Sequence, residues 1–382
     1  MGFHEFSSPY DWSRIAAYKR TAKAAFGGMI DLSVGSPVDP VPDSVRKALA
    51  VAANDPNAYG YPATSGTADL RAAIAEWFSA ARNVDLQAIH ADVVPTVGSK
   101  EGVALMASLL HFGEDDVVVQ PKVSYPTYEI GTQLAGAQVL KVDDVADVAS
   151  WRNVPGVKAV WVNSPCNPTG EVYSAERMAG IVAAAREIGA VVLSDECYAL
   201  MQWRGATNSA DDDPLQSTPC ALRSDVCAGS AEGVLVLYSL SKQSNMAGYR
   251  TAFIAGDESL IASMSAYRKQ IGQIIPGPVQ AAMAAGLRDL ESVKVQYARY
   301  RERLGVLVSA LRAYGYCTDM PDGALYVWVR AKSGDCWTDM EQLAKIGIIA
   351  SPGEFYGAPE CLRFSATASD EAIASAAERL VR

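Results

Sequence analysis

The sequence predicts an α/β protein in which a mostly parallel sheet is sandwiched by helices, followed by a smaller α+β C-terminal domain. Three observations point there. Short runs rich in Val and Ile recur through the middle of the chain: DVVVQP (116–121), VKAVWVNSP (157–165), AVVLSD (190–195), GVLVLYSL (233–240) and TAFIAG (251–256). Helical patterns such as AERMAGIVAAAREIG (175–189) separate most of them. Continuous apolar strands alternating with helices indicate a sheet covered on both faces. After residue 275 the character changes to a long helical stretch and further short strands, which marks the second unit.

Taken in order, a polar arm (1–28) leads to strand-like MIDLSVG (29–35) and a helix near 44–54 entered through Pro42-Asp43. The segment NAYGYPATSG (57–66) is rich in turn formers. TADLRAAIAEWFSAAR (67–82) has helical apolar spacing at Leu70, Ile74, Trp77 and Phe78. VVPTVGS (93–99) reads as a strand running into a turn, with KEGVALMASLLHF (100–112) as the helix after it. A single long helix is expected over 279–313. ALYVWVR (324–330), a helix near 338–346, GIIASP (347–352), CLRFSAT (361–367) and a last helix complete the chain. The expected organisation is an arm joined to part of the small domain (1–38), a large domain (39–275), and a connecting helix with the small C-terminal domain (276–382).

With 382 residues the chain can bury a large core. Its formal charge of −10, without a basic block, argues against nucleic acid or an anionic membrane as main partner. It has no apolar run of about 18 residues, the length a membrane span needs. The N-terminus lacks the pattern of a secretory signal, and Phe6 stands where a lipidation motif wants Ser or Thr. Seven scattered cysteines form no C-x-x-C pair, and three distant histidines form no metal motif. A cytoplasmic protein without a metal is the expectation.

In such sheets ligands bind beyond the carboxyl ends of the strands. Four apolar runs end there in polar signatures: GSK (98–100), NSPCNPTG (163–170), SDECY (194–198) and SLSK (239–242). Lys242 follows a buried-type strand amid small polar residues. Most lysines are solvated surface residues, but a desolvated amine is partly neutral and nucleophilic. Gly98-Ser99-Lys100 opens a helix, whose free N–H groups form a ready anion site, although ordinary capping would also explain the turn. Asp195 could be a simple turn residue, Asn167 a turn residue before Pro168, and Tyr125 and Tyr198 packing aromatics.

Together with SYPTY (124–128), YGYP (59–62), Arg250 and LRFS (362–365), the ordered set resembles the fold-type-I aminotransferases of the aspartate aminotransferase class. The resemblance spans nearly the whole chain. It implies pyridoxal 5'-phosphate as cofactor and a homodimer with shared active sites. It further implies that Lys242 forms the Schiff base and shuttles the proton between the substrate α-carbon and the cofactor. Asp195 would keep the pyridine nitrogen protonated, while Tyr198 and Asn167 donate to the phenolic oxygen. Ser99, Lys100, Ser239 and Arg250 would hold the phosphate. Tyr61, with Tyr59 as the other candidate, would reach the partner's phosphate. Tyr125 would stack on the ring, and Arg363 with Gly35 would bind the substrate α-carboxylate.

Other readings compete. Ser239-x-x-Lys242 matches a serine acylase motif, but S-x-x-K should open a helix, and here it ends an apolar strand. A regulator on the same fold would carry a DNA-binding domain ahead of it. A cofactor-dependent C–S lyase shares nearly all the signatures. Longer segments, among them LSVGSPVDPVP, SYPTYEI, SLSKQSNMAGYR and SPGEFYG, resemble the actinobacterial succinyldiaminopimelate aminotransferases of lysine biosynthesis. That resemblance implies transfer between glutamate and N-succinyl-2-amino-6-oxopimelate. Aspartate, alanine, aromatic or LL-diaminopimelate substrates are the alternatives. Arg14, Arg268 and Lys269, with Gln270 and Gln273 nearby, are candidates for a distal carboxylate.

Overall fold

The computed structural model describes residues 11–203 and 218–382; the first ten residues of the expected arm lie outside them. A short β1 (Ile30–Asp31) precedes a seven-stranded sheet. Its strands are β2 (Ala91–Val97), β3 (Val117–Pro121), β4 (Gln138–Val142), β5 (Val157–Asn163), β6 (Val191–Asp195), β7 (Val234–Ser239) and β8 (Thr251–Asp257). Their order is β2-β8-β7-β6-β5-β3-β4. Every pairing is parallel except those of β8, which runs antiparallel to both β2 and β7.

The central strands β5 to β8 are largely apolar because both faces are covered. Successive side chains point to opposite faces. Val234, Val236 and Tyr238 of β7 join one core cluster with Val160 and Val162 of β5 and Phe253 of β8. Leu235 and Leu237 join the other, with Trp161, Leu193 and Ile254. Trp77 and Phe78 of helix Ala68–Arg82 and Met178 and Ile181 of helix Ala175–Glu187 cover the first face. Val103 and Met106 of helix Ser99–Leu109, Tyr128 of helix Thr127–Leu134 and Met264 of helix Glu258–Gln270 cover the second.

Four further strands build the second unit: β9 (Tyr326–Arg330), β10 (Ile348–Ile349), β11 (Ser351–Pro352) and β12 (Cys361–Ser365). β11, β12 and β9 form an antiparallel sheet, and β1 pairs in parallel with β10. The core beneath them takes Leu304, Leu307 and Leu311 from helix Leu290–Ala313. It also takes Ile15 and Leu32 from the N-terminal segment, and Tyr198, Met201 and Trp203 from the chain beyond β6.

Two expectations are corrected, and the polar arm gains a secondary structure that its sequence left open. The single helix over 279–313 is two, Gly277–Arg288 and Leu290–Ala313, broken at Asp289. The Asp289 carboxylate accepts from Ser292 N at 3.1 Å, which starts a new helix by side-chain capping. The polar arm is helical over Trp12–Ile15 and Ala16–Ala24. Ser239 both ends β7 and caps the helical turn Leu240–Gln243, accepting from Ser241 N. The placement of S-x-x-K at a strand end therefore does not separate it from a helix start.

Candidate active site

The carboxyl edge of the central sheet gathers the functional residues, and each arrives by a different route. β6 delivers Asp195 as its last residue. β7 ends at Ser239, and the turn after it carries Lys242. β2 leads through Gly98 into Ser99, the first residue of its helix. β8 runs the other way, so Arg250 precedes it at the same edge. From the small sheet, β12 supplies Arg363 and β9 supplies Tyr326. Gly35, Ser99, Lys100, Tyr125, Asn167, Asp195, Tyr198, Ser239, Lys242, Arg250 and Arg363 line one cavity of about 380 Å³.

Tyr61 is the exception. Tyr59 and Tyr61 are both exposed, and neither lines this cavity. The candidates for a distal carboxylate are not brought to it either. Arg268 is buried and pairs with Glu101 at 2.8 Å, while Arg14 pairs with Glu354 and lies over the Trp337 ring. Lys269, Gln270 and Gln273 are absent from the cavity wall.

Part of the cavity wall suits a phosphate. Helix Ser99–Leu109 begins without a side-chain cap, so its first N–H groups are donors beside a favourable dipole. Gly98 has φ +78°, and a Cβ there would overlap the Arg250 guanidinium, which lies directly against the turn. Arg250 itself holds a left-handed φ of +57° and donates to Ala247 O at 2.8 Å. Ser239 and Ser241 add hydroxyls 2.8 Å from each other.

Asp195, in the same cavity wall, is 6% exposed. Burial pushes its carboxyl above the ordinary range, while hydrogen bonds from Tyr128 and from the Cys197 side chain and amide oppose the rise. Tyr128 Oη donates to Asp195 Oδ2 at 2.7 Å, and Cys197 N to Oδ1 at 3.2 Å. Burial and the neighbouring carboxylate raise the Tyr128 phenol well above its usual value, so it stays a neutral donor. Burial also lowers the Lys242 amine, and the charges of Arg363 and Arg250 reinforce this against the opposing Tyr326 phenol. The Lys242 amine donates to Gly35 O.

Arg363 is tied on two sides, donating to Asn167 Oδ1 at 2.7 Å and Ser33 O at 2.8 Å. That contact turns the Asn167 amide so that Nδ2 remains its donor. Its guanidinium also lies over the Tyr326 and Tyr356 rings, 4.0 and 4.7 Å from their centroids. Asn163 staples the loop carrying Asn167, accepting from Asn167 N at 2.8 Å and donating to Asp195 O at 2.9 Å. A buried Arg82–Glu196 pair at 2.8 Å anchors the residue after Asp195.

The sequence reading passed over Tyr128, Asn163, Tyr326 and Trp12, which also lines the cavity. Asn163 and Tyr128 stand inside the quoted motifs NSPCNPTG and SYPTY, so a polar atom at a strand end was the available signal. Tyr326 lies within an apolar strand and reads as core.

The donor set fits pyridoxal 5'-phosphate. An uncapped helix start with an arginine suits its phosphate, a buried carboxylate suits its pyridine nitrogen, and a desolvated lysine suits its aldehyde. Fold and site together define a pyridoxal-phosphate-dependent transferase of fold type I. More narrowly, the chain belongs to the family described as aminotransferase class I and II, which it matches over residues 27–380.

It is 40% identical over 373 residues to the 4-dedimethylamino-4-oxo-anhydrotetracycline transaminase OxyQ of Streptomyces rimosus, covering 97% of this chain and 98% of that one. It is 39% identical to a probable aminotransferase of Mycobacterium tuberculosis, over 97% of this chain and 84% of the relative. A solved structure of a probable N-succinyldiaminopimelate aminotransferase from Thermus thermophilus superposes with a TM-score of 0.82 at 28% identity. The coverage is 97% of this chain and 99% of that one. Among the described residues, no helix is long and apolar enough to cross a membrane.

Proposed function

We propose that this aminotransferase exchanges an amino group between glutamate and N-succinyl-2-amino-6-oxopimelate, in the ping-pong manner of its class. The convergence of Lys242, Asp195 and Arg363 on one cavity carries the amino-transfer chemistry. The substrate rests on the likeness to the Thermus thermophilus structure and on the longer sequence segments.

Pyridoxal 5'-phosphate supplies an aldehyde that carries the amino group and a ring that accepts electrons from the substrate α-carbon. The chain does the rest. Arg363 grips the substrate α-carboxylate with its planar fork, assisted by the Gly35 backbone. Lys242 Nζ removes and returns the α-proton, a task that suits an amine whose pKa is lowered by burial. Asp195 holds a proton on the pyridine nitrogen, and Tyr198 and Asn167 donate to the phenolic oxygen. Tyr125 covers the ring, and Ser99, Lys100, Ser239 and Arg250 hold the phosphate. Tyr61, exposed on its own chain, is assigned to the site of a second copy in a homodimer. The same reading divides the chain into an arm (1–38), a large cofactor domain (39–275) and a C-terminal unit (276–382), acting in the cytoplasm.

The 40% likeness to OxyQ favours a second reading, in which the acceptor is a ketone of the oxo-anhydrotetracycline kind. Among the described residues, no cation outside the set assigned to cofactor and α-carboxylate lines the cavity, which fits that reading as well. A kcat/KM comparison separates them. N-succinyl-LL-2,6-diaminopimelate should exceed aspartate, alanine and the aromatic amino acids as donor to 2-oxoglutarate. A preference for any of those, or for the polycyclic ketone with glutamate, overturns the substrate. Release of ammonia or a thiol in place of glutamate formation would indicate a lyase. Lys242→Ala should lower turnover by at least about 10²–10⁴-fold and remove the visible absorbance of lysine-bound cofactor.

A further inference from the structure

We propose that Tyr326 is a positioning residue acting through Tyr198, its phenol donating to the Tyr198 hydroxyl and strengthening the donor that Tyr198 presents to the cofactor's phenolic oxygen. The inference rests on the reading of Tyr198 given above. Tyr326 comes from β9 of the small sheet and is 2% exposed. Its Oη lies 2.6 Å from Tyr198 Oη, with the two rings edge-on at 5.6 Å. The Arg363 guanidinium packs on its ring, and its hydroxyl fills the space where Gly35 would carry a Cβ. A phenol held on three sides keeps one orientation without further entropic cost.

The direction of the shared bond follows from proton counting. Each phenol has one proton. An anionic oxygen only accepts, so a Tyr198 hydroxyl directed at it has no proton left for Tyr326. The proton between the two tyrosines then belongs to Tyr326. Hydrogen bonds in series polarise one another, so the first strengthens the second. Because Tyr326 also packs against Arg363, one residue ties the carboxylate grip to the donor at the ring.

Tyr326 also belongs to the small-domain core, and packing alone is the alternative. Tyr326→Phe keeps the ring and removes only the hydroxyl. A weaker donor leaves the anionic oxygen less stabilised and therefore more basic. The pH midpoint of the bound cofactor's visible absorbance should therefore rise by about half to one unit, with kcat/KM down about three- to tenfold. Gly35→Ala, which pushes on the same hydroxyl, should move the midpoint in the same direction. In a Tyr198→Phe background, adding Tyr326→Phe should change nothing further. An unshifted midpoint in Tyr326→Phe beside a shifted one in Tyr198→Phe overturns the relay. So does an equal shift in both backgrounds. An unshifted midpoint in Tyr198→Phe alone removes the Tyr198 assignment itself.

Discussion

Asp195 is buried, and hydrogen bonds from Tyr128 and Cys197 oppose the rise that burial causes in its carboxyl. Tyr128 is 1% exposed, stacked on Trp161 at 4.5 Å, and aimed at Oδ2. Tyr128→Phe keeps the stack and deletes the first of the hydrogen bonds that oppose burial at Asp195. With burial no longer opposed by that bond, the carboxyl rises further, so the acid limb of the kcat/KM profile should move to higher pH. The expected loss at neutral pH is about three- to tenfold, the effect of one hydrogen bond. An unchanged profile would show that the hydrogen bonds from Cys197 suffice. Residues with distinctive chemistry at strand ends, such as Lys242 and Asp195, were legible in the sequence. Tyr128 and Tyr326 were not, because a buried tyrosine that donates and one that only packs have the same pattern.

A single strand-to-helix turn sets up the proposed phosphate site. Gly98 joins β2 to helix Ser99–Leu109 in a conformation that side chains adopt at a cost, and it lies against Arg250. Gly98→Ala should cost about 1 kcal/mol of stability from backbone strain alone. It should also raise the cofactor dissociation constant at least about tenfold, measured by absorbance titration beside a thermal melt. Retained affinity would mean that Arg250 can step aside. Elements of this kind were legible where the apolar period was clean, as in β5 to β8. Edge strand β4 was not, because its pattern is only half buried and interrupted by Gln138 and Lys141. The break at Asp289 was also missed, because apolar spacing runs through it and only the capping carboxylate marks it.

At the scale of the molecule, three distant segments meet at one guanidinium. Arg303 on helix Leu290–Ala313 pairs with both Asp39 oxygens at 2.8 Å and with Asp370 of helix Asp370–Val381 at 2.6 Å. Burial alone would raise the Asp39 carboxyl, but Arg303 and the Gln296 amide outweigh it and hold it below the ordinary range. A carboxyl lowered in the folded state stabilises above its unfolded value, near pH 4, and that contribution fades as pH falls further. Asp39→Asn should therefore cost about 1–3 kcal/mol at pH 7, and the gap from the parent should shrink towards pH 3. Urea unfolding at both pH values checks it, and a gap independent of pH would assign the contact to packing. The reversed strand β8 has a consequence of another kind. A parallel strand there would begin at the opposite edge, some 23 Å away at about 3.3 Å per residue over its length. Running backwards, β8 lets one hairpin carry both Lys242 and Arg250, so the connection between them works as a ruler. Lengthening it by a residue would shift the anchor relative to the amine while leaving every strand in register.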